Sequence, residues 1–108
     1  MSLAVGLKAE KRAVEYLQGT GYSIFERNFH SRFGEIDIIA LKEDILHFIE
    51  VKYSKDYDAL TRITPSKLKK IIKTIDYYMC VKNIDIDYQL DALIINNKSI
   101  EIIENITY

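Results

Sequence analysis

Two runs rich in β-branched residues, 36–41 and 45–53, are separated only by the polar residues Lys42, Glu43 and Asp44. Such runs are typical of strands, and so short a polar connection predicts an antiparallel hairpin. Because successive strand residues point to opposite faces of a sheet, the hairpin also determines which side chains can meet. It therefore constrains both the sheet and any site built on that sheet.

The rest of the chain predicts helices and strands on both sides of this hairpin. Helices are predicted over residues 3–19 and 64–82, and further strands over residues 22–29, 88–95 and 99–103. Thr64 can cap the second helix, and Pro65 fits its first turn. The order is helix, three strands, helix, two strands, which predicts an α/β fold with a mixed β-sheet flanked by helices. A length of 108 residues predicts a single domain, residues 1–108.

Composition restricts the cellular compartment in which the protein is expected, but it does not identify a binding partner. Cys80 is the only cysteine, so an internal disulfide is excluded and a reducing compartment is expected. Neither a run of about 18 apolar residues nor a signal-peptide pattern is present, so we expect a cytoplasmic protein that does not bind membranes. Net charge is −1, but residues 59–82 are basic and residues 83–108 are acidic. That asymmetry fits either a basic binding face or a solvated helix face.

The turn also predicts which charged residues of the hairpin meet. If Leu41 lies opposite Leu46, the opposed pairs that follow are Ile39 with Phe48, Asp37 with Glu50, and Glu35 with Lys52. The reverse face is then predicted to be core and to carry Ile36, Ile38, Ala40, Ile49 and Val51. Opposed side chains lie with their Cβ atoms roughly 5 Å apart. A register slip of one residue would move Asp37 to the other face.

Two carboxylates at such a separation repel each other unless something neutralises them. Asp37 and Glu50 could hold Mg²⁺, which prefers a few carboxylate oxygens and takes further ligands from water and phosphate. Lys52 could then orient an attacking water or offset charge on a phosphate. The same residues also fit a pair of exposed, salt-bridged strands, with Lys52 neutralising Glu35 or Glu50. Both interpretations stay open at this point.

Asp37 followed by a hairpin and Glu50-Val51-Lys52 resembles the PD-(D/E)XK nuclease superfamily, which includes Holliday-junction resolvases and restriction endonucleases. More narrowly, nearly the whole chain resembles the YraN-like family of bacterial proteins. The matching residues are Gly6, Glu10, Ala13, Tyr16, Leu17, Gly21, Tyr22, Ile24, Asn28, Arg32, Gly34 to Asp37, Phe48 to Lys52, Lys67 and Asp91.

The resemblance implies a restriction-endonuclease-like core and a metal-dependent deoxyribonuclease using Mg²⁺ or Mn²⁺. It implies metal ligation by Asp37, Glu50, Glu10 and the backbone carbonyl of Val51, with Lys52 assisting catalysis. DNA, branched or single-stranded, is the implied partner. We expect its phosphates to meet Arg32, Lys55 and Lys67, although an exposed, solvated Lys67 is an equal alternative. A symmetric homodimer is expected because a four-way junction offers two equivalent cuts.

Three positions depart from the pattern. Ile36 stands where the superfamily has proline, and Ser54 stands where the narrower family usually has arginine. Gln89 also stands where arginine is common. The last two departures are expected to remove positive charge near the path that the DNA phosphates would follow. The alternative function is therefore a nucleic-acid-binding module on a nuclease fold with weak or no catalysis.

Overall fold

The computed structural model describes residues 3–54 and 63–107, with side chains from residue 6 onward. Within these residues the elements are α1 (Leu3–Gly19), β1 (Ser23–Ser31), β2 (Gly34–Lys42), β3 (Ile45–Tyr53), α2 (Pro65–Val81), β4 (Tyr88–Ile95) and β5 (Ile100–Ile103). This order confirms the predicted α/β layout. As predicted, the Thr64 side chain caps α2, because its hydroxyl oxygen accepts a 3.2 Å hydrogen bond from the Lys67 N–H.

The strands of the described segments form one mixed sheet in the order β1-β2-β3-β4-β5. Only the β3–β4 pair is parallel, and α2 lies between these two strands in the chain. A parallel pair needs such a crossover, whereas the antiparallel neighbours can be joined by short turns. The hairpin register is the predicted one, with Leu41 opposite Leu46 and Ile39 opposite Phe48.

Each helix covers one face of the sheet. On one face α1 packs through Ala9, Ala13 and Leu17 against strand residues that include Ile38, Ala40, Ile49, Val51, Leu93 and Ile95. On the other face α2 packs through Ile71, Ile75 and Tyr78 against strand residues that include Ile39, Leu46, Phe48 and Leu90. The alternation of these sets along each strand is what a sheet buried on both sides requires. No helix of the described segments is long and apolar enough to cross a membrane.

The alternation breaks at one place, beside Asp37. Ile36 packs with the α2 cluster and Ile38 with the α1 cluster, although both were predicted on one reverse face. Across the β1–β2 pair, Phe29 lies opposite Ile36 and packs in the same α2-side cluster. The backbone pairing of β2 with β3 ends at Ile38, and beyond it the Asp37 side chain accepts the Val51 N–H. Regular pairing imposes strict alternation of side chains, so the alternation is lost where that pairing ends. The prediction for Ile36 was therefore wrong.

Candidate functional site

Asp37 and Glu50 meet where the backbone pairing of β2 and β3 ends. The paired positions reach Ile38 opposite Ile49, and the two acids are the next residues on their strands. Asp37 Oδ2 accepts a 2.8 Å hydrogen bond from the Val51 N–H. In turn, the backbone N–H of Asp37 lowers the pKa of the Glu50 carboxylate. Each acid thus interacts with the backbone of the facing strand.

Glu50 is a buried carboxylate with an unsatisfied oxygen. The residue is 7 % exposed. Among the buried side-chain oxygens and nitrogens of the described residues, Glu50 Oε1 is the one that has no hydrogen-bond partner. Burial, and then the charge of Asp37, raises the pKa of Glu50 to about 8, while Lys52 opposes that rise. An unsatisfied buried carboxylate is costly to keep ionised, so this position favours either a proton or a cation.

The pKa of Asp37 is raised as well. Burial is the largest cause, whereas the hydrogen bond from Val51 and the charge of Lys52 act in the opposite direction. The charges of Glu35 and Glu10 raise it further. Asp37 is therefore a buried carboxyl group next to negative charges that Lys52 offsets only in part.

A cavity of about 250 Å³ opens beside Glu50 on the α2 side of the sheet. Its lining consists of Gly34, Glu35, Glu50, Lys52, Ile63, Lys67, Lys70 and Ile71. The structure thus brings Glu35, Glu50 and Lys52 together as the hairpin register predicted. It also brings two lysines of α2 to them. Lys67 was predicted as a site residue, whereas Lys70 was not.

Glu10 reaches the same region from α1 and does not line this cavity. Its Oε1 accepts a 2.8 Å hydrogen bond from the Asn28 amide and forms an ion pair with the Arg27 guanidinium at 3.1 Å. Asn28 lies across β1–β2 from Asp37, given that its neighbours pair with Ile38 and Ile36. Glu10 is therefore held beside Asp37 by β1, where its charge acts on the Asp37 carboxylate.

The other predicted site residues are distributed as follows. Arg32 is exposed in the turn between β1 and β2, with its guanidinium carbon 4.9 Å from the centre of the Phe33 ring. Val51 is buried, and its side chain belongs to the α1-side core, while a ligand role for its carbonyl stays a prediction. Lys55 lies outside the described residues.

A second polar cluster lies on the α1 side of the sheet. Across residues 3–54 and 63–107, His47, Asp91 and Glu104 are the three metal-ligating side chains whose ligand atoms lie within 4.8 Å of one another. Asp91 Oδ2 lies 2.6 Å from His47 Nδ1, and its Oδ1 accepts from the Asn105 N–H at 2.9 Å. Both oxygens of this fully buried carboxyl group are thus satisfied by the protein, which indicates a structural role.

Gln89 belongs to this second cluster. Its amide donates to Asp91 Oδ1 at 2.8 Å and to Glu104 at 3.3 Å. Its side chain therefore bonds to the cluster on the opposite side of the sheet from Glu50, and its place relative to DNA phosphates stays a prediction. Ser54, the other departure, is buried, and its N–H donates to the Ile95 carbonyl at 2.8 Å.

Comparison with known proteins decides the family. Residues 9–95 match the model of the uncharacterised protein family UPF0102. The chain belongs to this family. It is 55 % identical over 105 residues to a UPF0102 protein of Helicobacter pylori strain HPAG1, covering 97 % of this chain and 92 % of that protein. It is 49 % identical over 104 residues to a UPF0102 protein of Campylobacter fetus, covering 95 % and 93 %.

A UPF0102 protein of Campylobacter hominis is 54 % identical to this chain over 103 residues, covering 94 % of this chain and 92 % of that protein. The resemblance to the YraN-like family is thereby confirmed, and membership of the nuclease superfamily is consistent with it.

Proposed function

We propose that this UPF0102 protein is a metal-dependent endonuclease that hydrolyses phosphodiester bonds in DNA. The observation that carries the proposal is the buried, unsatisfied Oε1 of Glu50 beside the carboxylate of Asp37. A purely structural acid at this position would be expected to find a hydrogen-bond donor, as Asp91 does on the other face. A divalent cation would satisfy both acids and remove their mutual repulsion.

The donor set fits a hard cation. Asp37 and Glu50 would bind it through carboxylate oxygens, and Glu10 would add negative charge from α1. Mg²⁺ and Mn²⁺ prefer oxygen ligands, and Mg²⁺ keeps several waters when few carboxylates are offered. Once bound, such a cation polarises a phosphoryl oxygen and lowers the pKa of a bound water.

Lysine side chains of the protein can bind the phosphate group of the substrate. Lys52 shares the cavity with Glu50, so its ammonium group can donate to the attacking water or to a non-bridging oxygen that gains charge. Lys67 and Lys70 line the α2 wall of the same cavity. A phosphodiester placed between Lys52 and these two lysines would be held by charge from both sides.

The test uses fluorescent linear duplex, single-stranded and four-way-junction DNA with Mg²⁺ or Mn²⁺. We expect cleavage by the wild type and at least about a hundredfold lower rates for Asp37→Asn, Glu50→Gln and Lys52→Met. Glu101→Gln and Lys98→Met are matched controls, because both residues are exposed at β5 and the loop before it. These two variants should cut at the wild-type rate.

Two results would contradict the proposal. Equal cutting by all variants would identify a contaminating nuclease. Salt-dependent DNA binding without cleavage in either metal would identify the alternative, a nucleic-acid-binding module. Mn²⁺-induced thermal stabilisation gives a readout that is independent of activity, and it should vanish in Asp37→Asn and Glu50→Gln.

A further inference from the structure

Two aromatic rings and a guanidinium form a surface at the end of the β1–β2 hairpin. The rings of Phe33 and Tyr77 lie with centroids 6.1 Å apart at 64°, and the Arg32 guanidinium lies over Phe33. Tyr77 is 42 % exposed, Arg32 is exposed and Phe33 is half-buried. We call Arg32, Phe33 and Tyr77 the stacking surface. Exposed π-faces with adjacent cations are suited to stacking with planar groups that carry negative charge nearby.

This surface is continuous with the cavity beside Glu50. Gly34, which follows Phe33, lines the cavity, and a Cβ at Gly34 would lie 3.8 Å from Lys70 Cβ. Lys70 and Tyr77 are seven positions apart in α2, so they share a helix face and lie about 10 Å apart along its axis. Neighbouring nucleotides of one strand can span that distance.

The surrounding charge complements a polyanion. Lys70 and Lys73 are exposed on α2 beside the stacking surface, and Arg32 adds a third cation from the turn. The acidic Glu35 also lies in this region, with a carboxylate oxygen 3.1 Å from His30 Nδ1, and the three cations outnumber it. The cations can therefore contact phosphates while the rings contact a base.

We propose that the stacking surface binds an unpaired DNA base next to the phosphate held in the cavity, so that the preferred substrate is single-stranded DNA. This inference rests on the proposed function for the position of the phosphate. In a duplex, the faces of interior bases are covered by their neighbours and cannot reach Phe33 or Tyr77. An unpaired base offers its whole face, and stacking of this kind depends little on sequence.

The test measures binding by fluorescence anisotropy with a labelled single-stranded oligonucleotide and the matching blunt duplex, in Ca²⁺ to limit cleavage. We expect the wild type to bind the single strand more tightly. The double variant Phe33→Leu with Tyr77→Leu should bind the single strand about tenfold more weakly, the scale expected for the loss of one stacked base. Its duplex affinity should not change.

Phe25→Leu is the matched control, because Phe25 is an exposed aromatic residue of β1 outside the stacking surface. Thermal unfolding should confirm that the variants are folded. A single-strand affinity of the double variant equal to that of Phe25→Leu would overturn the inference, as would a wild-type preference for the duplex. Binding is measured separately from cleavage. Single-strand preference without cleavage would contradict only the proposed function, and cleavage without that preference would contradict only the inference.

Discussion

The carboxylate of Asp37 accepts a 2.8 Å hydrogen bond from the backbone N–H of Val51, on the neighbouring strand. The Asp37 side chain therefore does more than carry charge. Where the β2–β3 pairing ends, its carboxylate serves as the hydrogen-bond acceptor for a strand N–H in place of a backbone carbonyl. A buried N–H needs an acceptor, so Asp37 contributes to the sheet even without a cation. The same bond fixes the Asp37 carboxylate next to Glu50.

Replacing Asp37 by asparagine or alanine separates these two roles. Asparagine keeps an oxygen that can accept from Val51, whereas alanine leaves that N–H without an acceptor, which costs about 1–3 kcal/mol. We expect Asp37→Ala to be about 1–2 kcal/mol less stable than Asp37→Asn in urea unfolding. Both variants lose the charge, so the difference isolates the hydrogen bond. Equal stabilities would contradict a stabilising role for it.

The raised pKa of Glu50 predicts that stability falls with rising pH. Its pKa is about 8 in the folded protein and 4.5 in a model compound, so between these values the folded state holds more protons than the unfolded state. The free energy of unfolding should therefore decrease through that window by a few kcal/mol. Asp37, whose pKa is also raised, acts with the same sign.

This pH dependence is measured by urea unfolding in EDTA at pH 5 and pH 8.5. Glu50→Gln should flatten the dependence and be more stable than the wild type at the higher pH. Glu101→Gln, on the exposed β5, should keep it. Mn²⁺ should stabilise the wild type more at the higher pH, because metal ligands must be deprotonated. An identical slope in Glu50→Gln would show that another group is responsible.

The sequence predicted the central residues of the site because they depend on local geometry. A short turn fixes the register, and strand periodicity then places Glu50 and Lys52 on one face. The contribution of Lys70 was not predictable in this way. It reaches the cavity only because α2 packs on the β1–β2 turn, and that contact joins residues distant in sequence.

The features that the sequence did not predict have equally specific causes. Ile36 changes face because the pairing of β2 with β3 ends at Ile38, where the Asp37 side chain takes over as acceptor, and no periodicity rule anticipates that end. Gln89 was interpreted only as a position that lacks an arginine, whereas in the structure its side-chain amide donates a hydrogen bond to the buried carboxylate of Asp91. Hydrogen bonds between buried polar side chains depend on tertiary contacts and are invisible in a residue pattern.

Two histidine–carboxylate pairs differ in burial and therefore in their expected contribution to stability. His47 and Asp91 are 5 % and 0 % exposed at the side chain, whereas His30 and Glu35 are 69 % and 59 % exposed. His47→Phe would leave the buried Asp91 Oδ2 without its partner. We expect a loss of about 3 kcal/mol for this variant and less than about 0.5 kcal/mol for His30→Phe. Similar losses in thermal or urea unfolding would contradict the structural role of the buried pair.

The contact between Gly34 and α2 predicts that even a methyl group at this position is harmful. Gly34 has a φ of +156°, and an added Cβ would lie 3.3 Å from Thr74 Oγ1. Gly34→Ala should therefore lower the free energy of unfolding by about 1–2 kcal/mol, through backbone strain and displacement of the turn from α2. Gly19→Ala is the matched control, because a Cβ there meets nothing within 4 Å. Single-strand affinity should fall in Gly34→Ala and stay unchanged in Gly19→Ala, since the turn carries Phe33 and adjoins the cavity. If both variants bind and unfold alike, the position of the turn on α2 does not matter for the site.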